Sequence, residues 1–263
     1  SSMTRPGIDP TTTGEPVVSV RALVARYDDI VALRGIDFDV RPGEIVALMG
    51  RNGAGKSTLL AHLVGLNRPH AGQVRVAGHD PFRRSSAELN RDVALVPQEP
   101  ADLFYADTVA GECAADGSGD RARVLLDRLA PGIDGTTHPR DLSEGQRLAL
   151  ALAIVMAAEP PVLLLDEPTR GLDYPGKARL VDVLRELAGA GTAVILATHD
   201  VELAAEVSNR TVVLADGEVV ADGPTREVVT ASPAFAPQIA KILAPLPWLT
   251  VAQVRASLTA SAS

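Results

Sequence analysis

Two kinds of hydrophobic pattern divide the chain. Near the start, "VVSVRALVARY" from Val17 is rich in β-branched residues, and "GIDFDV" sets Ile36, Phe38 and Val40 against Asp37 and Asp39. Strict alternation of this kind predicts half-buried strands. "EIVALMG" is a short apolar run that ends in a glycine loop, and "KSTLLAHLVG" after it reads as a helix. "GQVRVAG" and "DVALVP" predict two more strands. From Ala101 to Glu159 the pattern turns mostly helical, with loops at "ADGSGD" and "PGIDGTTHP". "PVLLLDEP" and "TAVILATH" are then almost continuously apolar, as strands buried on both faces of a parallel sheet are. Between them "KARLVDVLRELAG" places Leu180, Val183, Leu184 and Leu187 on one helical face, with Gly189 the expected C-cap. "TVVLADGEVVADG" predicts a hairpin turning at Asp216-Gly217.

This order of elements predicts one α/β core interrupted by a helical subdomain. We expect a lead-in over residues 1–16 ("SSMTRPGIDPTTTGEP"), whose Ser, Thr, Pro and Gly content lacks periodicity. The main domain is expected over 17–230, with the helical insert at about 101–160. A Pro- and Ala-rich extension is expected over 231–263. No internal repeat is evident.

Composition narrows the function classes. With 46% hydrophobic residues in 263, the chain can bury a sizeable core. Aromatics are only 3%, so Leu, Val, Ile and Ala must build it. The net charge is −8 and no basic stripe is visible, which argues against nucleic acid as a partner. Cys113 stands alone, so an internal disulfide and a cysteine-cluster metal site are excluded. No run approaches the ~18–20 apolar residues that span a bilayer. The start of the sequence lacks the basic-then-apolar pattern of a signal peptide. Membrane contact is therefore expected only through a surface or a partner.

The candidate chemistry begins at "GRNGAGKST", Gly50 to Thr58, which fits G-x-x-x-x-G-K-[ST] between a strand and a helix. Gly50, Gly53 and Gly55 let the backbone curl so that amides, including those of Asn52 and Ala54, point inward at phosphate oxygens. The following helix N-terminus adds positive potential. Lys56 is expected to reach the β- and γ-phosphates, and the Ser57 hydroxyl to ligate Mg²⁺, with Thr58 beside it. Asp166 and Glu167 end the run "VLLLDEP": the first suits a Mg²⁺ site opposite the loop, the second a base that orients water. His199 ends another apolar strand, where doubly wound sheets bind ligands. Gln98 also follows a strand. In "LSEGQ", Ser143 is a good N-cap and Gln146 completes a capping box.

Taken together these motifs resemble the ATP-binding-cassette (ABC) ATPase family. The phosphate loop, Pro97-Gln98, "LSEGQ", "VLLLDEP", "GLD" at Gly171–Asp173 and Thr198-His199 appear in that family's order. The resemblance covers about Val17 to Thr230. It implies a P-loop NTPase (RecA-like) core with an antiparallel β subdomain and an inserted helical subdomain. It also implies ATP and Mg²⁺ as ligands, with Ser57, Gln98 and Asp166 around the metal. Glu167 would be the catalytic base and His199 the γ-phosphate switch, and Tyr27 falls where an aromatic stacks on adenine. Ser143, Gly145 and Gln146 would contact ATP held by a second ABC ATPase domain, so that two ATPs are sandwiched. Glu144 departs from the family pattern, which most often has Gly; its side chain is expected to point to solvent or to a partner loop.

A finer resemblance is to the ATPase subunits of energy-coupling-factor (ECF) importers, carried by "DEPTRGLD" and "ATHDVELAAEVSNRTVVLADGEVVADGPTREV". The tail "FAPQIAKILAPLPWLTVAQV" resembles actinobacterial members in which two such halves are often fused. This implies a transmembrane coupling subunit and a substrate-binding membrane subunit as partners, and a place on the cytoplasmic face of the cell membrane. Two other readings are a soluble ABC protein acting on ribosomes or DNA, and a cassette that assembles but barely hydrolyses. The acidic balance argues against the first; Glu167 with His199 argues against the second for the domain's own phosphate site, while Glu144 leaves it open for the site completed in trans.

Overall fold

The computed structural model describes residues 14–115 and 119–231. Nearly all of the expected lead-in, and the expected C-terminal extension beyond Ala231, lie outside the described residues.

Two sheets organise the described residues. The first is antiparallel, in the order β2-β1-β4, from β1 (Val18–Tyr27), β2 (Ile30–Val40) and β4 (Ala71–Val76). The second has the order β5-β6-β7-β3-β8-β9, from β3 (Ile45–Met49), β5 (Val93–Val96), β6 (Val162–Asp166), β7 (Ala193–Ala197), β8 (Arg210–Ala215) and β9 (Glu218–Pro224). Its first five strands are parallel and β9 closes it antiparallel to β8. This is the mixed α/β architecture that the pattern predicted.

Among the described residues eight helices connect or cover the strands: α1 (Lys56–Leu63), α2 (Ser86–Asp92), α3 (Val109–Ala114), α4 (Gly119–Leu129), α5 (Glu144–Ala157), α6 (Tyr174–Gly189), α7 (Val201–Val207) and α8 (Thr225–Ala231). Helices α3, α4 and α5 fall between β5 and β6, in the stretch read as helical from the sequence.

The parallel sheet is shared between two cores. Its side chains alternate faces along each strand. Val162 and Leu164 of β6 face β1, β2 and α1, whereas Leu163 and Leu165 face α5 and α6. All four are fully buried, which explains their continuous apolar run. Burial of such side chains contributes about 1.5–3 kcal/mol each. Leu180, Val183 and Leu184 of α6 join the second core, with Leu187 partly buried beside them.

One boundary differs from expectation. Helix α6 runs through Gly189, its C-cap is Ala190, and the left-handed residue is Gly191 at φ 103°. The apolar face ends two residues earlier than the hydrogen-bonded ladder, so its last residue is a poor marker of the true end. The hairpin turn does form at Asp216 and Gly217, whose φ values of 49° and 80° are those of a type I′ turn.

Candidate nucleotide site

The strand β3 delivers the chain to the phosphate loop, and α1 carries it away. Gly50 lies at φ 150°, and a Cβ there would come within 2.3 Å of the Leu214 carbonyl. Gly55 lies at φ 105°, and a Cβ there would meet the Leu33 side chain at 2.7 Å. These two glycines are therefore required by β8 and β2 pressing on the loop, a constraint that the sequence reading assigned only to the curl around phosphate. Ala54 is buried behind the loop. Lys56 is also buried, and its Nζ donates to the Gly50 carbonyl at 2.8 Å. It thus lies back across the loop with its charge facing the loop's own carbonyls.

A cleft of about 750 Å³ opens above the loop. Asn52, Gly53, Gly55, Lys56, Ser57, Thr58, Gln98, Asp166, Glu167 and His199 all line it. Positions drawn from four separate stretches of sequence thus converge, because β3, β5, β6 and β7 are parallel and end at the same edge. Burial pushes the Asp166 carboxyl above its usual 3.8, the Ser57 hydroxyl facing it opposes that rise, neighbouring Glu167 adds to it, and Lys56 pulls back.

Glu167 takes a left-handed backbone at φ 51°, which is uncommon for a residue with a Cβ. Its amide donates to the Ala197 carbonyl at 2.8 Å, tying it to β7. The carboxylate lies 2.8 Å from Nδ1 of His199, and the Thr198 hydroxyl and the His199 amide approach at 3.4 Å. The carboxylate is 12% exposed, whereas the imidazole is 77% exposed. His199 is therefore free to meet something entering the cleft while it holds Glu167.

Other predicted residues lie elsewhere. Tyr27 ends β1 outside the lining of the cleft; it is 46% exposed, and its hydroxyl accepts from Asn67 at 2.6 Å. Ser143, Gly145 and Gln146 do not line the cleft either. They form the start of α5, where the Ser143 hydroxyl accepts from the Gln146 amide at 3.3 Å and the Gln146 side chain accepts from the Ser143 amide at 3.0 Å. The capping box read from the sequence is present.

Gly145 is small here for a reason internal to the chain. A Cβ on it would come within 2.9 Å of the Gly171 carbonyl. Glu144 is exposed and rests against the same Gly171, in a crevice that also holds Gln98, Arg147 and Arg170.

Some cleft residues carried no signal that the sequence reading used. Arg170 lines the cleft and pairs with Glu99. Lys177 pairs with Asp200 at 2.6 Å. Burial would raise the Asp200 carboxyl, but Lys177 and the amides of Leu203 and Glu202 outweigh it and hold it below its usual value. Arg170 stood in plain view inside "DEPTRGLD"; only the fold shows that Glu99 lies opposite it.

The arrangement is a cleft with a buried cation, two adjacent carboxylates and a histidine. The profile of the ABC transporter family matches residues 33–170, just over half of the chain. The chain belongs to the ABC transporter family. An ABC transporter ATP-binding protein of Streptomyces avermitilis is 64% identical to this cassette over 248 residues, covering 92% of the cassette and 44% of that protein. The cassette therefore spans less than half the length of that curated relative. The solved cbiO1 of Clostridium perfringens, part of the ABC transporter complex cbiONQ, superposes with a TM-score of 0.74 at 28% identity, over 88% of the cassette and 96% of that chain. A dimeric cassette in a post-hydrolysis state bound to ADP and Pi superposes with a TM-score of 0.70 at 26% identity, over 79% and 98%. Family membership implies binding and hydrolysis of ATP. Among the described residues no helix is long and apolar enough to cross a membrane.

Proposed function

We propose that this cassette is one half of a Mg²⁺-dependent ATP-hydrolysing motor that drives a membrane importer of the ECF type. The observation that carries the two-cassette reading is the separation of Ser143, Gly145 and Gln146 from the cleft that holds Lys56 and Glu167. A helix N-cap with a free hydroxyl proton and a positive dipole end is a phosphate clamp, and its target is the cleft of a second cassette. The dimeric relative supports this reading.

The donor set fits Mg²⁺. Ser57, Gln98 and Asp166 offer oxygen ligands only, and all three line the cleft. They would hold the ion, which when bound supplies charge neutralisation to the phosphates. The residues of the chain do the rest. Lys56 and the loop amides bind the β- and γ-phosphates. Glu167, oriented by His199, accepts the proton of the attacking water. Tyr27 offers its exposed face to the adenine ring.

The ECF assignment, for a vitamin, metal or other micronutrient, rests on the similarity to cbiO1 and on the motif resemblance. It predicts a transmembrane coupling subunit and a substrate-binding membrane subunit, and a place on the cytoplasmic face of the membrane. The decisive experiment is Glu167→Gln. Gel filtration should show an ATP-dependent dimer that persists, with turnover lost; chelation of Mg²⁺ should abolish turnover in the parent. A monomer with undiminished turnover refutes the role of Glu167. Co-purification with membrane subunits tests the importer assignment separately.

A further inference from the structure

A second groove, of about 660 Å³, lies between the edge strand β4 and the single turn Pro81–Arg83. It shares no lining residue with the phosphate-loop cleft. Arg68, Arg75 and Arg83 line it, with His70, and Asp80 is the sole carboxylate there. In a chain of net charge −8, three guanidiniums around one groove are a local reversal of sign.

The guanidiniums are held but not used up. Arg75 donates one bond to the Gly78 carbonyl at 3.2 Å, and Arg83 Nε pairs with Asp80 at 3.2 Å. The Arg68 guanidinium stands 5.6 Å from the centre of the Phe82 ring, which is itself 46% exposed. Each guanidinium carries five N–H donors in a fixed fork. Most of those donors are therefore left for another acceptor. As an edge strand, β4 also turns unpaired amides outward.

The groove is also fixed in place. The loop that carries Arg68 is fastened to β1 by Asn67 on the Tyr27 hydroxyl at 2.6 Å and by the Arg26 amide on His70 at 3.3 Å. A prearranged site forfeits less entropy on binding.

We propose that this groove binds a small, soluble, phosphate-bearing ligand, with Arg75 and Arg83 on the phosphate oxygens and the Arg68–Phe82 pair against a planar ring. Forked guanidiniums match phosphate oxygens two at a time. The volume suits a ligand of nucleotide size.

The test is calorimetric titration of pyrophosphate into the full chain carrying Lys56→Ala, at fixed ionic strength and without Mg²⁺, so that the phosphate loop, which shares no residue with this groove, no longer competes. One saturable site is expected. The double variant Arg75→Ala, Arg83→Ala should weaken it at least tenfold. Arg75→Lys should retain part of the affinity, and Arg140→Gln, an exposed charge elsewhere, should change it less than twofold. Unfolding of each variant by urea confirms that the fold is kept. In the same Lys56→Ala chain, ADP in place of pyrophosphate should bind this groove more tightly than pyrophosphate, and Phe82→Ala should weaken it. Absence of a saturable site, equal loss in Arg140→Gln, or binding to phosphatidic acid vesicles but not to pyrophosphate would overturn the proposal.

Discussion

Consider Gly171→Ala. Gly171 sits at φ 75°, and an added Cβ would lie 2.5 Å from the Glu144 Cβ, 3.0 Å from its Oε2 and 3.3 Å from the Gly145 amide nitrogen. The left-handed backbone costs a residue with a Cβ about 1–2 kcal/mol. Forcing the overlap costs about 1–3 kcal/mol more. The single variant should therefore lose about 2–5 kcal/mol. Glu144→Gly removes the two closest atoms and leaves only the tolerable approach to the amide nitrogen. In that background Gly171→Ala should lose only about 1–2 kcal/mol, the backbone term. The difference, about 1–3 kcal/mol, is the coupling between the two positions. Urea unfolding of the four proteins at pH 7 measures it, provided the m-value is unchanged across the set. Additivity within about 0.5 kcal/mol would refute the contact, and with it the account of how the start of α5 is held in place.

Arg210 is 13% exposed and pairs with Asp222 at the surface and with buried Glu44, whose carboxylate its removal would leave without its cation. Arg210→Met should cost about 3–5 kcal/mol in urea unfolding. Asp200→Ala removes the N-cap of α7 and the partner of Lys177, and should cost about 1–2 kcal/mol at pH 7. Because the folded-state pKa of Asp200 is depressed, its contribution is present above the unfolded value and lost as pH falls through the folded one. The gap between parent and variant should accordingly narrow below about pH 4. Tyr27→Ala should weaken ATP binding about three- to tenfold with little change in turnover at saturation, and Tyr27→Phe much less, as read by equilibrium titration and steady-state kinetics.

Much of the site was legible because its chemistry is local. Gly50 to Thr58 announces itself in nine consecutive letters, and Asp166-Glu167 stands at the end of a run whose burial is evident. The capping box at Ser143 needs only a spacing of three. Contacts between distant stretches were not legible. That Gly145 must be small for the Gly171 carbonyl depends on two turns that the fold brings together. The pairing of Arg170 with Glu99 joins residues 71 positions apart. The end of α6 was misplaced because the ladder of hydrogen bonds outlasts the apolar stripe that marks a helix in sequence.

The strand order has a consequence for how the protein is made. The antiparallel sheet joins neighbours in sequence, so β1, β2 and β4 can pair once the chain has reached Val76. Strand β3, which leads into the phosphate loop, must wait. Its partners are β7 and β8, and Ile45 pairs with Val194, 149 positions downstream. Closing so long a loop is slow, and an unpaired, wholly apolar strand is prone to aggregate meanwhile. During synthesis β3 therefore stays exposed until nearly the whole cassette has emerged, and the nucleotide cleft is among the last parts of the molecule to take shape.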